Sequence, residues 1–413
     1  MRKINKIKEV VDWGLCVGCG ACYAICRNKN AVKLENISSI GIRPRFKTDI
    51  CDGCNECLSV CPGYRIDAKI NHDSKSMKSR PNLLIGPTYS IWEGFASDNE
   101  MRYNASSGGI ISALAAFCIE KEKMALVIHT GMDQQRPWMN KTIISKSRKE
   151  IMQNAGSRYA SSSPCELLEI IEKSENPCVF IGKPCDAAAI SMARKKRPQI
   201  DKNLGIVLSF FCAGTPCSEA TIDLVREIGI TPEYVNSIRY RGLGWPGSFR
   251  IQYDKCHKEK KLSYAESWGK VSSRRPFRCH LCPDGLGELS DITSGDAWNK
   301  YSVNVKNLGI SHVLVRSERG QEIIEKAIKE KYVNLVPSTA DQVILAQGLV
   351  NRRKKVFGRQ LALRILGAPS TEFKNFNLLQ AWLRSSPVTM IKTIIGTMRR
   401  VIQRGLWHKN PIC

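Results

Sequence analysis

The sequence contains no apolar run long enough to cross a bilayer. The longest charge-free stretch among its 413 residues, Tyr103 to Ile119, carries Asn104, three serines and two glycines. That is too short and too polar for a spanning helix. The basic opening MRKINKIKEVVDWG has no apolar core behind it, which argues against a signal peptide and predicts a cytoplasmic chain. Acids are scarce: 38 Asp and Glu stand against 63 Lys and Arg, and the formal charge of +25 points to an acidic partner. Composition otherwise excludes a disordered or fibrous chain, with 43% hydrophobic and 24% charged residues. The length suits two or three domains and can bury a core without disulfides or metals.

Cysteine, by contrast, is abundant. Eighteen cysteines in a reducing compartment point to metal binding or redox chemistry and away from a disulfide framework. Eight fall in the first 61 residues, in two runs of one spacing. CVGCGACYAIC places Cys16, Cys19, Cys22 and Cys26 at C-x2-C-x2-C-x3-C; CDGCNECLSVCP repeats it with Cys51, Cys54, Cys57 and Cys61, followed by Pro62. A cubane iron–sulfur cluster needs four thiolates converging from different directions. The x2 loops supply three, and the fourth cysteine of each run ligates the other cluster. One 4Fe–4S cluster is therefore expected on Cys16, Cys19, Cys22 and Cys61, the other on Cys51, Cys54, Cys57 and Cys26. Gly18, Gly20 and Gly53 fit, since small residues let backbone amides turn toward the sulfides. Zinc prefers two ligand pairs a dozen or more residues apart and asks for no third x2 cysteine. The first run ends in Cys26-Arg27, not Cys-Pro, which weakens the local turn and leaves the ligand count intact. This segment resembles a bacterial-type two-cluster ferredoxin.

Residues 71–88, polar with two prolines, read as a linker between an N-terminal module (1–70) and the rest. Beyond it, periodicity predicts helices over 106–123, 165–173 and 218–228, and strands over 125–129, 178–182 and 204–212. A strand over 310–317 with a helix behind it repeats the theme. Strands followed by helices imply parallel βα units, with ligands beyond the carboxyl ends of the strands. Cys185 (GKPCD) and Cys212 (FFCAGTPC) end two of those strands, and Cys279 and Cys282 form a C-x2-C pair downstream. These four suit either a third cluster or buried small hydrophobes. Cys118, Cys165, Cys178, Cys256 and Cys413 read as incidental, and Cys217 as undecided.

SSGG (106–109), GSRY (156–159), GKPCD (182–186), the FCAGTPC loop and RCHLCPDGLGELSDITSGD together resemble the family of coenzyme F420 hydrogenase/dehydrogenase beta subunits. The likeness covers nearly the whole chain behind the ferredoxin module. It implies FAD and iron–sulfur clusters, with electrons passed between the clusters and an organic partner, and it makes Cys185, Cys212, Cys279 and Cys282 cluster ligands. It also implies flavin contacts at Ser107, Gly108, Gly109, Ser157, Arg158, Tyr159, Gly182, Lys183 and Asp186. A helix opening on SSGG would present free amides to a phosphate. Arg158 could pair with a pyrophosphate, and Tyr159 could stack on a ring. Lys183 stands where the family usually has Thr; it either faces the flavin or is a solvated loop lysine. Asp186 and Asp296 could bind ribose or transfer a proton.

The expected fold is α/β with a small α+β module: the ferredoxin-like domain, a mixed α/β flavin-binding domain over 89–340, and a basic helical tail over 341–413. That tail holds 13 Lys/Arg against Asp341 and Glu372. Its second helix, ending in Trp407, is amphipathic and suits either a membrane surface or packing on the core, with nucleic acid last in rank. The function expected is an iron–sulfur flavoprotein oxidoreductase acting on an organic substrate or a deazaflavin-like coenzyme. Its alternative is a non-catalytic electron-transfer subunit docking to an acidic redox donor or partner enzyme, peripheral at the inner membrane face.

Overall fold

Three aliphatic runs, Val127–Met132, Cys178–Gly182 and Leu204–Phe210, lie side by side in parallel, and Ile292–Asp296 joins them beyond the last. Strands buried on both faces favour near-continuous apolar runs, and these come close, broken by His129, Thr130 and Ser209 toward their carboxyl ends. The computed structural model, which describes residues 2–47, 49–68, 82–300, 308–406 and 408–409, completes an eight-stranded mixed sheet around this parallel centre. Its order is 333–337, 90–96, 311–315, 292–296, 204–210, 178–182, 127–132, 140–145. Ser311–Val315 runs antiparallel to both neighbours, so the strand over 310–317 is correct and its expected parallel βα setting is not. The edge strands Asn140–Ser145 and Val333–Pro337 are short and polar enough to hide their periodicity, and Ser90–Ala96, paired on both sides next to one edge, carries Glu93 among half-buried residues.

Successive side chains point to opposite faces, and the two faces carry separate cores. Val127, Val179 and Ile206 pack against the helices Ile110–Glu120 and Glu318–Lys329. Ile128, Phe180 and Val207 pack against the helix Pro184–Lys196. That second core also takes Cys19, Ala24, Ile25 and Val60 from the N-terminal module. A further lobe, a three-stranded antiparallel sheet over 235–263 with the helices Ser218–Glu227 and Tyr264–Val271, closes around Tyr240, Phe249 and Val271.

The N-terminal module is built into the molecule, contrary to the expectation of a separable unit. Cys165 N donates to Cys19 O, Ser163 Oγ to Gly18 O, and a Cβ on Gly20 would stand 2.9 Å from Glu166 N. Arg65–Asp67 pairs in parallel with Glu372–Lys374, so the tail supplies a strand to the module. The first part of the expected linker, 71–81, lies outside the described residues; the remainder is docked, with Ile85 buried beside Leu286, Leu314 and Val350. No helix among the described residues is long and apolar enough to cross a membrane.

Candidate functional site

The carboxyl ends of the parallel strands open into a cavity of about 490 Å³, within the usual range for cofactor pockets, about 300–1,000 Å³. One wall is the start of the helix Ile110–Glu120. Its N-cap, Gly109, sits at φ +79°, where a side chain would be strained, and no side chain caps the first turn. The amides there remain available to an anion, with the helix dipole behind them. The lining is also rich in aromatic side chains, Phe210, Tyr159, Tyr264, Trp268 and Trp298 among them. Such an arrangement suits a flat, phosphate-bearing cofactor.

Of the nine residues expected at the flavin, Ser107, Gly109, Ser157, Arg158, Tyr159 and Lys183 line this cavity. Gly108, Gly182 and Asp186 stand behind it. Gly108 fits against the strand 90–96, where a Cβ would meet Gly94 O at 2.7 Å; one on Gly182 would meet Asp186 Cβ at the same distance. Ser107 Oγ bonds Ser311 Oγ (2.8 Å), and Ser157 N donates to Ser106 Oγ (2.6 Å).

Three expected roles change. Arg158 donates to Asn140 Oδ1 and to the carbonyls of Pro137, Met139 and Ile238. Its fork clamps the 137–140 loop to the strand Val235–Arg239 and is not free for a pyrophosphate. Lys183 is no solvated loop tip: it is buried, 2.7 Å from Asp186 Oδ2, and donates to Ser162 Oγ at 2.9 Å. Asp186 is fully buried, closes the first helical turn by accepting from Lys183 N, and reaches no ribose site. Tyr159 faces the cavity but already packs on Trp268 and Tyr240, with ring centroids 4.6 and 5.5 Å away.

The reading of the sequence missed Arg241. It makes a two-pronged ion pair with Asp296 (2.9 and 2.8 Å), its guanidinium 4.5 Å above the Tyr264 ring, at the cavity wall. Burial opposes the Arg241 charge, and the Asp296 carboxylate outweighs that and raises its pKa. Asp296 also accepts from Trp245 Nε1 at 2.7 Å. The aromatic-rich RYRGLGWPG turn was the available signal. His129, also in the lining, was missed too. Burial drives its pKa down to about 4, against about 6.5 for an unfolded chain. The unfolded chain takes up the proton first, so this site costs no stability above pH 6.5 and progressively more as pH falls toward 4. Unfolding temperatures measured at pH 7.5 and 5 should therefore converge in His129→Gln relative to the wild type. An equal acid loss in both would assign it to other groups.

Cys16, Cys19, Cys22 and Cys61 all line one small apolar cavity beneath the helix Ile7–Asp12. Gly18 and Gly20 turn there with φ of +73° and +87°. Cys57 is pushed up to about 11 by burial and by Cys54, Cys26 and Cys51 beside it, the expected second set. Cys51 and Cys54 of that set are exposed. Cys185, Cys212, Cys279 and Cys282 line a third cavity together with Arg43, Arg278 and Arg352. Burial, Cys279 and Cys282 push Cys212 up to about 12, so four thiolates would need metal and the arginines to offset their charge. No three His, Cys, Asp or Glu side chains among the described residues close on a single-ion point; the thiols surround space instead. Cys165, set aside as incidental, packs in one core with Cys19, while Cys217 is buried in the 235–263 lobe, away from the four.

Comparison with known proteins identifies the family. Residues 91–171 match the N-terminal model of the coenzyme F420 hydrogenase/dehydrogenase beta subunit, and residues 176–341 match its C-terminal model. The chain belongs to that family. One subunit of the F(420)H(2) dehydrogenase of Methanosarcina mazei is 22% identical over 350 residues, covering 79% of this chain and 92% of that one. The beta subunit of a coenzyme F420 hydrogenase of Methanococcus voltae is 26% identical over 243 residues, 57% of this chain and 79% of its own. In structure, a chain of the F420-reducing [NiFe] hydrogenase complex of Methanosarcina barkeri superposes with a TM-score of 0.53 at 20% identity, over 68% of this chain and 96% of that one. The family is one of oxidoreductase subunits, and the shared fold is the mixed α/β sheet.

Proposed function

We propose that the chain is an iron–sulfur flavoprotein oxidoreductase that relays single electrons through three 4Fe–4S clusters to FAD and on to an organic substrate or a deazaflavin-like coenzyme. The observation that carries this reading is that the cavities share walls. Cys16 lines both the first cysteine cavity and the third, and Cys212 lines both the third and the large cavity. With Cys51 and Cys54 exposed at one end, the sites form a series from the surface to the strand ends. FAD supplies the exchange between single electrons and a two-electron organic reduction.

The chain's own contributions are binding and orientation. The open amides at Ile110 and Ile111 hold the pyrophosphate. Trp268, Tyr264 and Trp298 would offer apolar surface to a ring system, and the Arg241–Asp296 pair would offer it polar contacts. Lys183, held by Asp186 and Ser162, brings a positive charge to the cavity wall. The discriminating measurement is iron, sulfide and flavin content of anaerobically purified protein. The expected result is about twelve iron atoms and one FAD per chain; about eight would remove the third cluster, and zinc in place of iron would end the reading.

A second reading, an electron-transfer subunit that hands electrons to a partner enzyme, is favoured by the relatives' being subunits of larger enzymes. The net charge of +25 would steer an acidic partner. Bound FAD that a protein partner oxidises and no small molecule does would select it.

A further inference from the structure

The C-terminal helix Pro387–Gln403 has two unlike faces. The inner one seats Thr397 and Val401, and Val401 joins Ile4, Ile7, Val10 and Trp13 of the N-terminal module in one core. Helix packing on the core, one of the two readings of the amphipathic pattern, thus accounts for only half of it. Val388, Ile391, Ile395 and Ile402 remain 54–60% exposed, and Leu379 and Leu383 of the preceding helix, Leu378–Leu383, are 48% and 63% exposed. At 100° per residue the first four fall within a sector of about 60°, so they form one stripe, roughly 21 Å long at 1.5 Å per residue. Lys392 and Arg399 border that sector on the same outward side, and Arg384, just before the helix, is exposed as well. No Asp or Glu occurs after Glu372, across 41 residues that hold seven Lys and Arg.

We propose that this face docks the protein on the surface of an anionic lipid bilayer, the helix lying in the interface with its aliphatic stripe among the acyl chains. Exposed apolar patches of this extent mark interaction surfaces, and the charge decides between occupants. A protein partner would need carboxylates placed opposite each cation and a matching apolar ridge between them. An anionic interface offers both without any register, because long basic side chains reach up to headgroups while aliphatic ones go down. The helix is also held rigid by its inner face before it meets the lipid, so little ordering accompanies binding. Docking in this orientation sets the N-terminal module, against which the helix packs, close to the bilayer. The inference is independent of which cofactors the chain carries.

The test is sedimentation of the full, cofactor-loaded chain with vesicles of phosphatidylcholine alone or mixed with phosphatidylglycerol. The expected result is binding to the mixed vesicles only, weakened by added salt. Lys392→Gln with Arg399→Gln should lower partitioning about 25-fold, about fivefold per charge removed. Ile391→Ser with Ile395→Ser should abolish it. All four positions are on the exposed face, and unchanged circular dichroism would show the fold kept. Equal binding to neutral vesicles, no binding to either, or variants that sediment like the wild type would each overturn the proposal. So would a concentration-dependent dimer that Ile391→Ser dissolves, which would assign the stripe to a second copy of the chain.

Discussion

Serine at Cys282 is expected to cost about four iron atoms per chain, to lower flavin retention, and to abolish turnover driven by a one-electron donor. Serine at Cys54 should also cost up to about four iron atoms and block donor-driven turnover, yet leave flavin in place. The contrast comes from where the two thiols sit. Cys282 faces the third cavity, which shares Cys212 with the large one, and two residues on Asp284 accepts from the amides of Leu286 and Glu288 to shape the loop that follows. A ligand set stripped of metal leaves buried thiols and arginine charge without a counterpart, so the disturbance reaches the cofactor wall. Cys54 is exposed at the far end of the series, and its loss touches no part of that wall. A strong chemical reductant that reaches the large cavity directly should still reduce flavin in the Cys54 variant. Iron and flavin assays on both proteins, with donor-driven and chemical reduction followed in the visible, separate the cases. Equal flavin loss in both would mean that the sites are not ordered in a series. Undiminished donor-driven turnover in Cys54→Ser would mean that electrons enter elsewhere.

How much of this was readable in the sequence depends on the range over which each constraint acts. The ligand spacing of a ferredoxin-type module is local, so eight cysteines announce themselves within 46 residues, Cys16 to Cys61. The third set is spread from Cys185 to Cys282, and only the packing of two strand ends against the 277–282 turn brings it to one cavity. Its spacing alone left buried hydrophobes as an equal reading; the family resemblance tipped it. The central strands were legible because burial on both faces demands continuous aliphatic runs. Lys258–Ser263, an exposed strand rich in charge, was not, and neither was Ser90–Ala96, an inner strand whose residues are mostly half-buried and include Glu93. Arginines were the least readable. A guanidinium serves a phosphate, a carboxylate or a row of carbonyls with the same donors, and only the fold tells that Arg158 meets carbonyls while Arg241 meets Asp296.

Arg353→Ala should be among the most destabilising single changes in the molecule. The basic run NRRKK suggests uniform surface charge, yet Arg353 is 3% exposed and pairs with Glu288, itself 2% exposed. The same guanidinium donates twice to Phe376 O, tying the helix Val350–Ile365 both to the loop after Cys282 and to the segment leading into Leu378–Leu383. Removing one partner of a buried pair leaves the other charge without compensation, a loss of about 3–5 kcal/mol. At about 2 °C per kcal/mol for a chain of this size, the melting temperature should fall by roughly 6–10 °C. Arg353→Met combined with Glu288→Leu tests the cause. If the uncompensated carboxylate is what destabilises, the double variant recovers most of the loss, because apolar residues of similar volume replace buried ion pairs at little cost. If the bonds to Phe376 O dominate, the double variant stays as unstable as Arg353→Ala, with the tail loosened from the body. Thermal unfolding of the three proteins under anaerobic conditions decides between them, and a single variant that melts within about 2 °C of the wild type, less than about 1 kcal/mol, would show that Glu288 needs no cation.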